Sequence, residues 1–140
     1  MLKIKTITKD EPPVKVTREI RGEEITFWLR PWTADFAQVI RKRFVKGIEW
    51  VQHPVTGRRE KREIIDDDGF FDAMIDYIIA GFEGVGDETG EPWPADLEHK
   101  KALLNVAVEK GSQAVGDWVM DTAQALAFTK AEQEAGEEKN

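Results

Sequence analysis

The sequence predicts an α+β fold: a small N-terminal antiparallel sheet with an inserted hairpin, packed with about four helices. Three observations carry this. Apolar residues alternate at period two before residue 30, recur at helical spacing from residue 33 onward, and give way between residues 48 and 65 to a second strand-like segment around turn residues.

The elements follow in order. Val14, Val16 and Ile20 alternate with Lys15, Thr17 and Glu19, and Ile25, Phe27 and Leu29 alternate with Thr26, Trp28 and Arg30. Arg21-Gly22-Glu23 between them supplies a turn, so the pair reads as a β-hairpin. Pro12-Pro13 breaks the chain before it, which leaves residues 1–13 as a loose arm or a separate edge strand. Pro31 ends the second strand. Thr33 is a candidate N-cap for a helix carrying Phe36, Val39, Ile40 and Phe44, with Gly47 as its stop. Ile48, Trp50 and Val51 then form one arm of a second hairpin, Pro54-Val55-Thr56-Gly57 its turn and residues 58–65 the other arm. Its polar middle predicts a solvated hairpin that projects from the body.

Asp66-Asp67-Asp68 opens the next helix, where carboxylates cap free amides and meet the positive end of the dipole. Phe70, Phe71, Met74, Ile75, Ile78, Ile79 and Phe82 predict a wide apolar stripe that ends at Gly84. A turn-rich loop follows over residues 86–96. Asp96 is the predicted cap of a helix running to Lys110, and Ser112 that of a last helix carrying Val115, Trp118, Val119, Thr122 and Leu126. Residues 1–128 are thus read as one globular unit. Residues 129–140 are an acidic tail, expected as a fraying helix end or disordered.

Composition excludes several kinds of chemistry. The chain has 140 residues, 41% hydrophobic and 34% charged, which suits a globular domain with a solvated surface. It has no cysteine, so thiolate metal sites, disulfides and cysteine nucleophiles are excluded. His53 and His99 lie in different segments without partners at metal spacing. The Asp66-Asp67-Asp68 run is followed by Phe70 and Phe71 where a calcium loop needs further ligands. Gly84-Val85-Gly86 has no following Lys-Ser/Thr and is not a phosphate loop. No catalytic residue, cofactor or metal ligand is identified, and a non-enzymatic role is expected. With no continuous apolar segment long enough for a signal peptide or a membrane span, the expected setting is soluble and intracellular.

Charge is unevenly spread. Residues 1–65 hold 15 Lys/Arg against 9 Asp/Glu, and residues 66–140 hold 5 against 18. The positive excess centres on Arg41, Lys42, Arg43, Lys46, Arg58, Arg59, Lys61 and Arg62. Trp50 beside this arm could stack on a base. The net charge of −7 opposes duplex binding, however, and the arm reads better as a protein-contact surface. Trp28, Trp32, Trp93 and Trp118 sit within apolar patterns and read as core.

Two segments carry a resemblance. Phe27-Trp28-Leu29-Arg30-Pro31-Trp32-Thr33 leads from a strand into a helix, and residues 72–82 lead into Glu83-Gly84-Val85-Gly86-Asp87-Glu88-Thr89-Gly90-Glu91-Pro92-Trp93-Pro94, followed by Leu103-Leu104-Asn105. This order resembles the tail assembly chaperones of long-tailed bacteriophages, with Phe82 standing where their pattern has Trp. The likeness spans residues 24–128 and is concentrated in residues 78–104.

The resemblance implies a non-catalytic chaperone in the cytoplasm of the bacterial host, absent from the mature virion. Its partners would be the tape measure protein and tail tube subunits, with neither membrane nor nucleic acid, and homo-oligomers are compatible with it. Such a protein needs an apolar groove with charged rims. The partner-binding candidates are Trp93, Trp118, Met120, Leu126 and Phe128, with Arg58, Arg59 and Arg62 as a basic arm able to steer an acidic partner or a neighbouring copy. The competing readings are a head–tail connector or tail-end protein, which would form rings and remain in virions, and a small nucleic-acid-binding regulator.

Overall fold

Arg21 and Gly22 both adopt positive φ, 51° and 83°, giving a two-residue turn whose twist matches the strands it joins. In the computed structural model, which describes the backbone of residues 11–138 and the side chains of residues 11–132, this turn links β1 (Val14–Ile20) to β2 (Glu23–Leu29). The strands pair antiparallel with Val16 opposite Phe27, and Ile25, Phe27 and Leu29 point into the core. The expected arm over residues 1–13 lies almost wholly outside the described residues.

The fold is α+β, as expected, with four helices, a three-stranded sheet and a two-stranded sheet among the described residues. Thr33 caps α1 (Ala34–Arg43), its hydroxyl accepting from the Phe36 amide at 3.1 Å. Gly47 is not the stop. The helix ends at Arg43, Phe44 is its C-cap, and Gly47 lies within β3 (Val45–Gln52), where the ladder to β4 (Arg59–Ile65) shifts register. Pairing of Val45 with Ile65 and the Asp66 amide bonding to the Phe44 carbonyl at 2.8 Å root the hairpin earlier than its apolar pattern suggests.

Asp66 caps α2 (Asp67–Ile78), accepting from the Gly69 amide. The helix does not reach Phe82. Residues Ile79–Glu83 form the strand β5, antiparallel to β2 with Phe82 opposite Phe27, giving the order β1-β2-β5. Ile79 and Phe82 fit a buried helix or a buried strand equally. Gly81 tips the balance, since it weakens a helix by about 1 kcal/mol. Pairing also covers an edge of β2 that would otherwise stay open.

Asp96 caps α3 (Leu97–Leu104), which ends short of the expected Lys110. Residues 105–114 instead close on themselves. The Val108 amide bonds to the Gln113 carbonyl and the Val115 amide to the Val106 carbonyl, which buries Val108. Ser112 does not cap the last helix: its hydroxyl accepts from the Glu109 amide and donates to the Glu109 carbonyl, closing that turn. The last helix, α4 (Val115–Glu138), buries Val115, Val119 and Ala123 and sets Trp118 against Phe27, ring centroids 5.2 Å apart. The acidic stretch is helical to Glu138.

Two fastenings hold the layers. At the Arg30-Pro31 corner the guanidinium donates to the carbonyls of Tyr77 and Glu11, and the Glu11 amide donates to the Tyr77 hydroxyl. Lys130 of α4 pairs with the Glu11 carboxylate, which ties α4 to the start of the described chain. Across the molecule, Lys100 and Lys101 of α3 pair with Asp76 and Asp72, one turn apart on α2, at 2.9 Å each. Lys100 is only 5% exposed, yet its ammonium reaches both the Asp76 carboxylate and its carbonyl. No helix among the described residues is long and apolar enough to cross a membrane.

Candidate functional site

Helices α2, α3 and α4 leave an apolar groove of about 270 Å³ between them, lined by Phe71, Ile75, Leu104 and Met120, with Lys101 and Asp117 at its rim. Its floor depends on Gly116, where a Cβ would come within 3.1 Å of the Leu104 carbonyl. A side chain there would push α4 off α3. Phe71 is 42% exposed at the mouth of the groove. Adjacent residues on a helix point about 100° apart, so Phe70 and Phe71 lie on different flanks of α2. Phe70 packs towards Trp32 and Phe71 faces outward. The wide stripe read from the sequence did not distinguish the two. Lys101 is held by Asp72, and Asp121, one turn beyond Asp117, accepts from the Gln113 side chain.

The predicted apolar candidates divide. Met120 lines the groove. Trp118 and Leu126 are half-buried and pack on the core. Trp93 also packs on the core, its amide bonding to the Val85 carbonyl at 3.0 Å and its ring meeting His99 edge-on. It anchors the loop of residues 84–94. Phe128 is 65% exposed on α4, about 12 Å further along the axis than Met120.

The loop itself is a set of closed turns. Asp87 accepts from the Thr89 hydroxyl and amide and from the Glu91 amide. The Thr89 hydroxyl first, then the Glu91 amide, hold its carboxyl below the ordinary carboxylate range. The His99 amide and ring do the same for Asp96. Among the described residues, no three His, Asp or Glu side chains are grouped so as to hold a metal ion.

None of the basic candidates lines this groove; they lie on β4 and the turn before it. Arg58, Arg59 and Arg62 are all exposed. Arg62 meets Glu49 across the ladder at 3.9 Å. Arg59 and Lys61 each place their charge 5.6 Å from the centre of the Trp50 ring, which is 56% exposed. Strand alternation puts Ile48, Trp50, Arg59 and Lys61 on one face. Of the eight exposed large hydrophobics among the described residues, five lie on this hairpin: Ile48, Trp50, Val51, Val55 and Ile64. The sequence marked the arm by its charge and passed over its apolar content. At the root, Arg41 pairs with Glu63 beside an open hollow reaching Asp67.

Comparison with protein-family models, curated proteins and solved structures finds no match to this chain.

Proposed function

We propose that this chain is a non-catalytic tail assembly chaperone of a long-tailed bacteriophage, which binds the tape measure protein in the host cytoplasm and supports tail tube assembly. The observation that carries the reading is the Phe71–Met120 groove: an apolar cleft between helices with charge at its rim. A long amphipathic helix presents apolar side chains at every turn, and such a cleft receives one or two of them at a time. Small contacts of this kind release readily, as a chaperone requires. The Glu83-to-Pro94 segment of the resemblance supports the reading in a second way. It forms closed turns between β5 and α3, with Trp93 bonded to the Val85 carbonyl and set against His99 of α3.

The test is co-expression with the tape measure protein of the same phage. The soluble fraction of that protein should rise with this chain present, and Phe71→Asp should remove most of the gain. Equal solubility with and without the chain would end the proposal.

A further inference from the structure

We propose that the Trp50 face of the β3–β4 hairpin docks into the Phe71–Met120 groove of a second copy of this chain. The two surfaces are chemically complementary. The hairpin face offers Ile48 and Trp50 flanked by Arg59 and Lys61. The groove offers Phe71, Leu104 and Met120 flanked by Asp117, with Asp121 one turn on. Among the described residues, Arg58, Arg59 and Lys61 make no ion pair, so their charge is free to meet another surface. Lys101, the one cation lining the groove, is already neutralised by Asp72. A bare two-stranded ribbon is marginal in water, and five exposed large hydrophobics on it favour a covering partner. Trp and Arg on one desolvated face are the residue types that dominate interface energetics.

Both surfaces stand open within one copy, so the contact runs from each molecule to the next. Closed reciprocally between two copies it gives a two-fold dimer, and passed on to a third copy it builds rings or open chains. It also covers the groove when no client is present. The inference does not depend on the chaperone reading, because it concerns the purified chain alone.

Sedimentation velocity on the purified full chain tests it. The wild type should show species that grow with concentration and shrink as salt is raised. A hairpin variant, R59E/K61E, and a groove variant, D117K/D121K, should each be monomeric, because each sets like charges against one another. Mixed one to one, they should reassemble, since the reversed hairpin now meets the reversed groove and the two native surfaces still match. Trp50→Ala should weaken association at least about tenfold without altering the circular dichroism spectrum, which gives a readout independent of charge reversal. The proposal is overturned by a wild type that stays monomeric at all concentrations, by variants that assemble as the wild type does, or by a mixture that stays monomeric. Assembly that disappears on nuclease treatment also overturns it, and assigns the hairpin to nucleic acid instead.

Discussion

The molecule contains two antiparallel hairpins of nearly equal strand length, and they have opposite fates. In β1–β2 a third strand covers one edge and α4 covers one face, leaving Phe27 and Leu29 0% exposed. In β3–β4 no strand is added among the described residues, and every residue from 48 to 64 except His53 is exposed. Composition separates them in part, since five of the seven residues of β4 are charged. Placement of the apolar side chains separates them further. Ile25, Phe27 and Leu29 share one face of β2, whereas the second hairpin puts Ile48 and Trp50 on one face and Val51 and Ile64 on the other. A one-sided ribbon packs on its own helices. A two-sided ribbon stays bare, and its apolar residues remain available to another molecule.

The sharpest way to break this contrast is to truncate one aromatic residue in each hairpin. Phe27→Ala should lower unfolding free energy by about 3–5 kcal/mol, through lost burial and the cavity left beside Trp118. Trp50→Ala should change it by less than about 1 kcal/mol, the scale of its exposed cation contacts. Urea denaturation followed by circular dichroism reads both. Comparable losses would mean that the second hairpin is packed on the body. The ion pairs make the same contrast at smaller scale. Asp76→Ala leaves the buried Lys100 ammonium with only a carbonyl and should cost about 1–3 kcal/mol. Arg62→Ala removes an exposed pair across the second hairpin and should cost no more than about 0.5 kcal/mol.

The contrast also marks what the sequence could disclose. Both hairpins, the cap at Thr33 and those at Asp66 and Asp96 are local features, decided by residues a few positions apart, and they were legible. The strand β5 was not, because Ile78, Ile79 and Phe82 satisfy helix and strand patterns alike. The deciding partner, β2, lies some fifty residues earlier in the chain. Lys100 reads as an ordinary solvated lysine until α2 brings Asp76 over it. The groove shares that character. Met120 was legible as a candidate, but Phe71, Leu104 and Gly116 become one surface only when three helices meet.

Caps and turns in the body predict a smaller, pH-dependent effect that the hairpin should lack. Asp96→Ala should lower the melting temperature, since the amide it accepts from loses its N-cap. Asp87 and Asp96 both have carboxyls held below their ordinary value of 3.8. Their stabilising contribution is therefore complete above that value and is lost as pH falls through the lower folded value. Stability should drop on acidification below pH 3.8, and the drop should be shallower in Asp87→Asn. Thermal unfolding across an acid series measures the slope. An unchanged slope in that variant would remove Asp87 from the account.

Only a small effect on stability is expected from the largest deletion. Ile48 and Glu63 are direct partners in the ladder, so residues 49–62 can be replaced by a two-residue Asn-Gly turn that closes the ribbon there. The excised segment contains no buried residue, and its apolar area is solvated before and after unfolding. Body stability should therefore shift by no more than about 1 kcal/mol, with the denaturant slope nearly unchanged because little buried surface is lost. Concentration-dependent assembly should vanish in the same protein. A shortened chain that unfolds would place the hairpin in the folding core and contradict its bare surface. A shortened chain that folds and still assembles would move the contact to another face. A chain that folds, keeps its stability and stays monomeric assigns the second hairpin wholly to contact between molecules, and leaves the first as the one that holds the fold together.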